Sequence, residues 1–171
     1  ATGSAEINLD ALIAKRIEYL TGYQNAAYAD RYKNLIDKVR AAERKFSPAS
    51  DGLARAVATY YSKLLSYKDE YEVARLYSQG DFMKKVSQVF EGDYKLKFHL
   101  AAPLLAERDP RTGAPVKREY GAWMMTAMKG LAKLKFLRNT PFDIFSYTAE
   151  RKHERQLISD YEATMNKLLA G

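Results

Sequence analysis

Apolar and small residues step by threes and fours through the first 46 positions: Leu9, Leu12, Ile13, Ile17, Leu20, Tyr23, Ala27, Tyr28, Tyr32, Leu35, Ile36, Val39, Ala42 and Phe46. That spacing holds one face of an α-helix in register, so it predicts one long N-terminal helix. Asn8 or Asp10 can cap its start and Ser47-Pro48 ends it. Gly22 is its weak link, costing about 1 kcal/mol relative to alanine. Such a helix is not self-supporting in water, so its stripe must pack on other helices.

Asp51-Gly-Leu-Ala opens a second helix with Leu53, Val57, Tyr60, Tyr61, Leu64 and Leu65 on one side, and Ser66 to Tyr77 continues it or restarts after a bend. Gln79-Gly80-Asp81 reads as a C-cap followed by an N-cap. Phe82, Val86, Val89 and Phe90 then mark a short amphipathic helix stopping at Gly92. The pattern changes at Tyr94-Lys-Leu-Lys-Phe-His-Leu100, which alternates with period two and predicts a strand. Asp109-Pro-Arg-Thr-Gly113 is a turn signal, and Val116 to Tyr120 can return as a partner strand. A further helix carries Trp123, Met124, Ala127, Met128, Leu131 and Leu134 inward until Asn139-Thr-Pro-Phe-Asp143 breaks it. The last helix runs from about Thr148 to Leu169, with Leu157, Ile158, Tyr161, Met165 and Leu168 as its stripe. The expected architecture is mainly α: a helical bundle with a long N-terminal helix and a short β-hairpin-like insert near 94–120. It is read as one domain over residues 1–171, with 1–7 a tag remnant or a disordered start.

At 171 residues the chain can bury a core, and 47% hydrophobic with 29% charged residues is ordinary for a soluble globular protein. No stretch approaches the roughly 20 apolar residues of a membrane span, and the start lacks the pattern of a signal peptide. A cytoplasmic location with no membrane partner is the expectation. The absence of cysteine rules out disulfides, thiolate catalysis and a cysteine-held iron–sulfur cluster within this chain.

The net charge of +7 sits in one place. Residues 83–138 hold 12 Lys/Arg against 5 Asp/Glu, while the remainder has 16 of each. A basic middle suits an anionic partner such as nucleic acid, a phosphate-bearing ligand or an acidic protein. It also suits a lysine-rich solvated surface. Lys95, Lys97 and His99 alternate along the predicted strand, with Lys117 and Arg118 across the turn; these five are the candidate anion- or partner-binding residues. Lysines also guard edge strands against aggregation.

Other candidate chemistry is thin. Lys68-Asp-Glu-Tyr-Glu-Val-Ala-Arg75 groups three carboxylates with two cations, in which Glu72 can pair with Arg75 or Lys68. Acid–base work by these carboxylates would need a pocket and a partner from elsewhere. His153-Glu154-Arg-Gln-Leu157 begins like a zincin helix but lacks the second histidine, so no metal site is expected. The pairs Gly80-Asp81 and Gly92-Asp93 share the start of a thiamine-diphosphate motif without its second glycine. Thirteen tyrosines could stack on nucleic-acid bases, but packing between helices is favoured. No catalytic residue is assigned.

Several blocks resemble, in order, the C-terminal region of the large, fused form of indolepyruvate ferredoxin oxidoreductase. They are Leu20-Thr-Gly-Tyr-Gln-Asn-Ala-Ala-Tyr-Ala-Asp-Arg-Tyr32, Tyr67-Lys-Asp-Glu-Tyr-Glu-Val-Ala-Arg-Leu-Tyr77, Phe90 to Leu105, Lys117-Arg-Glu-Tyr-Gly-Ala-Trp-Met124, Thr140-Pro-Phe-Asp143 and Tyr147-Thr-Ala-Glu-Arg151. The resemblance implies a parent enzyme that oxidatively decarboxylates indole-3-pyruvate and related aryl pyruvates to the acyl-coenzyme A, with ferredoxin as electron acceptor. Thiamine diphosphate and iron–sulfur clusters would belong to its other domains, and this chain alone would be inactive. Its implied partners are the catalytic domains of the same enzyme, ferredoxin or coenzyme A, and further copies in a homo-oligomer. A basic nucleic-acid- or protein-binding module is the alternative.

Overall fold

A computed structural model of the protein describes residues 8–79, 82–91, 95–100, 109–113 and 116–170. It is mainly α, with seven α-helices and one two-stranded antiparallel sheet among the described residues. The chain falls into two compact units. The first combines residues 1–69 with 135–171, and the second is the intervening 70–134.

The first unit holds α1 (Leu9–Tyr23), α2 (Ala26–Phe46), α3 (Gly52–Leu65) and α7 (Ala149–Ala170). The long N-terminal helix expected from periodicity is therefore two helices. Asn8 caps α1, its side chain accepting from the Asp10 amide at 2.9 Å, and Asn25 caps α2 by accepting from the Tyr28 amide at 2.9 Å. The break at Gln24-Asn25 follows from that second cap: extended backbone at Asn25 ends one helix and starts the next. Ile13, Leu20, Tyr32, Ile36, Val39, Val57, Tyr61, Leu65, Ile158 and Met165 form a single buried cluster.

On α3 the buried face is Ala54, Val57, Ala58, Tyr61, Ser62 and Leu65, so Tyr60 and Leu53, expected inward, are exposed. The small residues Ala54 and Ala58 leave no bulk between the packed helices. On α7 only Ile158 and Met165 are buried, with Tyr161 half-buried, while Leu157 and Leu168 face water. Phe46, at the very end of α2, lies past the packed stripe and is also exposed.

The second unit holds α4 (Glu70–Gln79), α5 (Phe82–Val89), β1 (Phe98–Leu100), β2 (Arg118–Tyr120) and α6 (Trp123–Lys133). The chain restarts at Glu70 after a bend, and α6 gives way to a 3₁₀ turn at Leu134–Leu137. Ala74, Phe98, Met128 and Ala132 make its core. Trp123, Ala127 and Leu134, expected inward, are exposed because α6 turns the Met128–Ala132 edge to the core instead. The caps read at Gly80 and Asp81, the helix stop at Gly92, Tyr94 of the strand pattern and residues 1–7 lie outside the described residues.

Candidate functional site

Lys95, Lys97, His99, Lys117 and Arg118 are all exposed; His99 lies in β1 and Arg118 in β2, while Lys95, Lys97 and Lys117 precede the strands. The register pairs Phe98 with Tyr120, His99 with Glu119 and Leu100 with Arg118. Side chains alternate across a strand. Phe98 is accordingly buried in the core of its unit, with Leu100 and Tyr120 packed against it, whereas Lys97 and His99 share the face of Glu119. Lys97 Nζ lies 2.8 Å from Glu119 Oε1, and His99 Nε2 is 3.9 Å from Oε2. The Lys97 hydrogen bond holds the Glu119 carboxyl below its usual range and raises the ammonium of Lys97 in turn.

The expected row of cations is thus a row with a carboxylate set into it. Glu119 compensates one charge of the face, and Lys95 and Lys117 make no ion pair with a described residue. The hairpin offers hydrogen-bond donors to an anion but no enclosure for a small one.

Its turn is built by Asp109. One carboxylate oxygen accepts from the amides of Arg111 at 2.8 Å and Thr112 at 3.1 Å, and the Asp109 carbonyl accepts from Gly113 N at 2.8 Å. Gly113 has φ +68°, the left-handed region that favours glycine. The backbone donors hold the Asp109 carboxyl low.

The most developed polar centre was not foreseen from sequence. In the first unit Asp69 and Arg138, 69 positions apart, form a buried bidentate pair: Nη2 reaches Oδ1 at 2.9 Å and Nε bonds Oδ2. Arg138 Nη1 donates to the Tyr23 carbonyl at 2.7 Å and to Gln24 Oε1 at 2.5 Å. Its guanidinium stacks 3.8 Å from the Tyr23 ring centroid. Burial works to lower the Arg138 pKa, but the Asp69 hydrogen bonds prevail and raise it. Lys135 Nζ donates to the Gly22 carbonyl at 2.6 Å. Two cations therefore meet the carbonyls that α1 leaves unpaired at its C-terminus, where the helix dipole favours positive charge. This is the tertiary reason for the break at Gln24-Asn25.

Buried Glu72 and Glu43 and half-buried Glu162 are similarly engaged. Glu72 pairs with Arg75 through two contacts of 2.8 Å, the i,i+3 pair expected from sequence, while Lys68 is exposed. Glu43 accepts from the amides of Leu53 and Ala54 at 2.8 Å each, capping α3 from another helix in place of Asp51, which makes no side-chain cap. Desolvation acts to raise the Glu43 carboxyl, yet these amides and Ser50 carry it below its ordinary value. Glu162 receives both arms of Arg31, at 2.6 and 2.8 Å, and the Tyr61 hydroxyl.

Tyrosines mostly pack, as favoured from sequence. Tyr23, Tyr32 and Tyr61 are fully buried; Tyr61 stacks on Tyr32 and Tyr161 at 6.0 and 5.5 Å, and Tyr23 stacks on Tyr28 at 5.9 Å. Their hydroxyls donate to Tyr67, Leu65 and Ala58 carbonyls or to Glu162. No group of three or more His, Asp or Glu side chains suited to a metal occurs among the described residues. A shallow depression of about 330 Å³ near the start of α1 is lined by Asp10, Arg40 and Glu43, whose charges are already paired or capping.

What fold and site define is a mainly α protein whose buried acids among the described residues are engaged by cations or backbone amides. Residues 9–171 match the family of unknown function DUF6537, and the chain belongs to that family. No curated protein and no solved structure matches it. No helix among the described residues is long and apolar enough to cross a membrane.

Proposed function

We propose that this chain is a non-catalytic structural and assembly domain of an indolepyruvate ferredoxin oxidoreductase of the large, fused type. The ordered sequence blocks carry the reading, and the use the fold makes of them supports it. Tyr23 and Gln24 of the first block, Asp69 of the second and the segment beginning at Thr140 all meet at or beside Arg138. Residues that serve as blocks of a family resemblance here serve as fasteners of the fold. The buried acids Asp69, Glu72 and Glu43 are all engaged with cations or backbone amides, so none is poised as a general base.

Thiamine diphosphate and iron–sulfur clusters belong, in this reading, to other domains of the parent enzyme; without cysteine this chain supplies no thiolate ligand to a cluster. The test is the reading frame around the segment. Continuation into thiamine-binding and cysteine-rich cluster motifs, together with aryl-pyruvate-dependent ferredoxin reduction by the whole product, is the expected result. A frame with no such motifs in or beside it overturns the proposal.

A second reading rests on the hairpin. Five exposed cationic or titratable side chains on or just before the two short strands fit an acidic protein, such as ferredoxin, or the phosphates of coenzyme A or nucleic acid. Charge reversal at Lys95, Lys97, Lys117 and Arg118 is expected to weaken binding of such a partner in a salt-dependent way. Unchanged affinity for ferredoxin, coenzyme A and RNA sinks it.

A further inference from the structure

An open notch of about 220 Å³ lies between α2 and α7, with Tyr61 of α3 in its lining. All of it belongs to the first compact unit. On α2, Arg31, Asn34, Leu35 and Lys38 follow the spacing of a single helical face, and Glu162 and Asn166 stand one turn apart on α7. Leu35 and Tyr61 are buried and form an apolar floor. The Tyr61 ring is fixed there by stacking on Tyr32 and Tyr161.

The acid of the notch is fully engaged from within. Glu162 Oε1 accepts from Arg31 Nε at 2.6 Å and from the Tyr61 hydroxyl, and Oε2 accepts from Arg31 Nη2 at 2.8 Å. The donors around it are not engaged. Arg31 Nη1, the Lys38 ammonium and the Asn34 and Asn166 carboxamides make no hydrogen bond or ion pair with a described residue. Four donor groups from two helices therefore converge over an apolar floor, the composition of a small-molecule site.

Charge selects the ligand class. Arg31 and Lys38 against Glu162 leave the notch with a balance of one positive charge. A single carboxylate neutralises it. A phosphate group, with nearly two negative charges at neutral pH, would leave an excess beside the Glu162 carboxylate. Each carboxamide offers an acceptor as well as donors, which suits hydroxyl groups on the body of the ligand. At about 30 Å³ per water the space holds about seven waters, so the ligand is a small acid.

We propose that the notch between α2 and α7 binds a small hydroxy acid, its carboxylate held by Lys38 Nζ and Arg31 Nη1 and its hydroxyls by Asn34 and Asn166. Such a ligand is smaller than an aryl pyruvate, so the proposal is independent of the oxidoreductase reading. The test is a nuclear magnetic resonance titration of the isotope-labelled 171-residue chain with glycerate at constant ionic strength. Glycerol, which lacks the charge, and inorganic phosphate, which carries more of it, are the comparison probes. The side-chain amide signals of Asn34 and Asn166 are expected to shift together and saturate, with a dissociation constant on the order of 1 mM. Glycerol is expected to move neither signal, and phosphate to bind at least about fivefold more weakly than glycerate. Lys38→Gln is expected to weaken glycerate binding about fivefold, while Lys33→Gln, on α2 outside the notch, leaves it unchanged. Both lysines are exposed, so neither change disturbs the core. Absence of a saturable shift up to about 50 mM overturns the proposal. So does an equal response to glycerol or phosphate, or a Lys38→Gln variant that binds glycerate as the wild type does.

Discussion

At the scale of single residues, the side chain on which most converges is Arg138. It closes a bidentate pair with Asp69, satisfies the Tyr23 carbonyl and stacks on the Tyr23 ring, all away from water. Removing one partner of a buried ion pair leaves an uncompensated charge, which costs about 3–5 kcal/mol, whereas removing both is far milder. Arg138→Met is therefore expected to lower stability by about that amount, measured by urea unfolding. The double variant Arg138→Met with Asp69→Leu is expected to lose clearly less than the two single losses added together. Simple additivity would show that the pair does not act as a unit. Nothing local in the sequence marks this arginine: it sits among lysines in the basic segment and reads as one more surface cation. Its role is set by Tyr23 and Asp69, distant in the chain, and no periodicity registers such a partnership.

At the scale of elements, helical and strand periods were legible wherever one face is buried. They placed α7 within a residue at each end and located the hairpin with its turn. The break in the first helix was not legible. Apolar steps run unbroken through Tyr23, Ala27 and Tyr28, and the cations that stabilise the interruption arrive from Lys135 and Arg138. Alternation anticipates that Lys97 and His99 share one face of the strand, whereas Arg118 pairs with Leu100 on the other. Glu119 as the counter-charge of Lys97 and His99 was not legible, since the pairing register is a tertiary fact. Residues 139–143 read as a helix breaker, and sequence gives no sign that Arg138 and Asp143 turn inward while Phe142 and Tyr147 turn outward.

The hairpin turn allows a clean test at this scale. Gly113 has positive φ, and a Cβ placed there would meet nothing within 4 Å, so substitution acts on the backbone alone. Gly113→Ala is expected to destabilise by about 1 kcal/mol, and Gly113→Asn by less, because asparagine tolerates the left-handed region. Stabilisation by alanine, through reduced freedom of the unfolded chain, would mean that the turn does not need this conformation.

At the scale of the whole molecule, hydrogen-bonded acids and buried tyrosines together define a pH window. Glu43 and Glu162 are both displaced by desolvation upward and by their hydrogen-bond partners downward, and the partners win. The folded carboxyls thus titrate below the unfolded value of 4.5. As pH falls through about 4.5 the unfolded chain binds protons first, so stability declines on the acid side. Growing positive charge on a chain already at +7 acts in the same direction.

On the alkaline side burial raises the phenols: Tyr32 to about 12, and Tyr23, Tyr28 and Tyr61 further. Above pH 10 the unfolded chain loses phenolic protons that the folded chain retains, so stability declines again. Urea midpoints plotted against pH should form a plateau with a shoulder at each end, and Glu43→Gln should flatten the acid shoulder. The ultraviolet titration gives the sharper check. In the folded chain Tyr23, Tyr28, Tyr32 and Tyr61 should remain protonated above pH 10 until unfolding releases them in one step. If these four ionise near pH 10 with the fold intact, the tyrosine layers between α1, α2, α3 and α7 are not the closed interior described here.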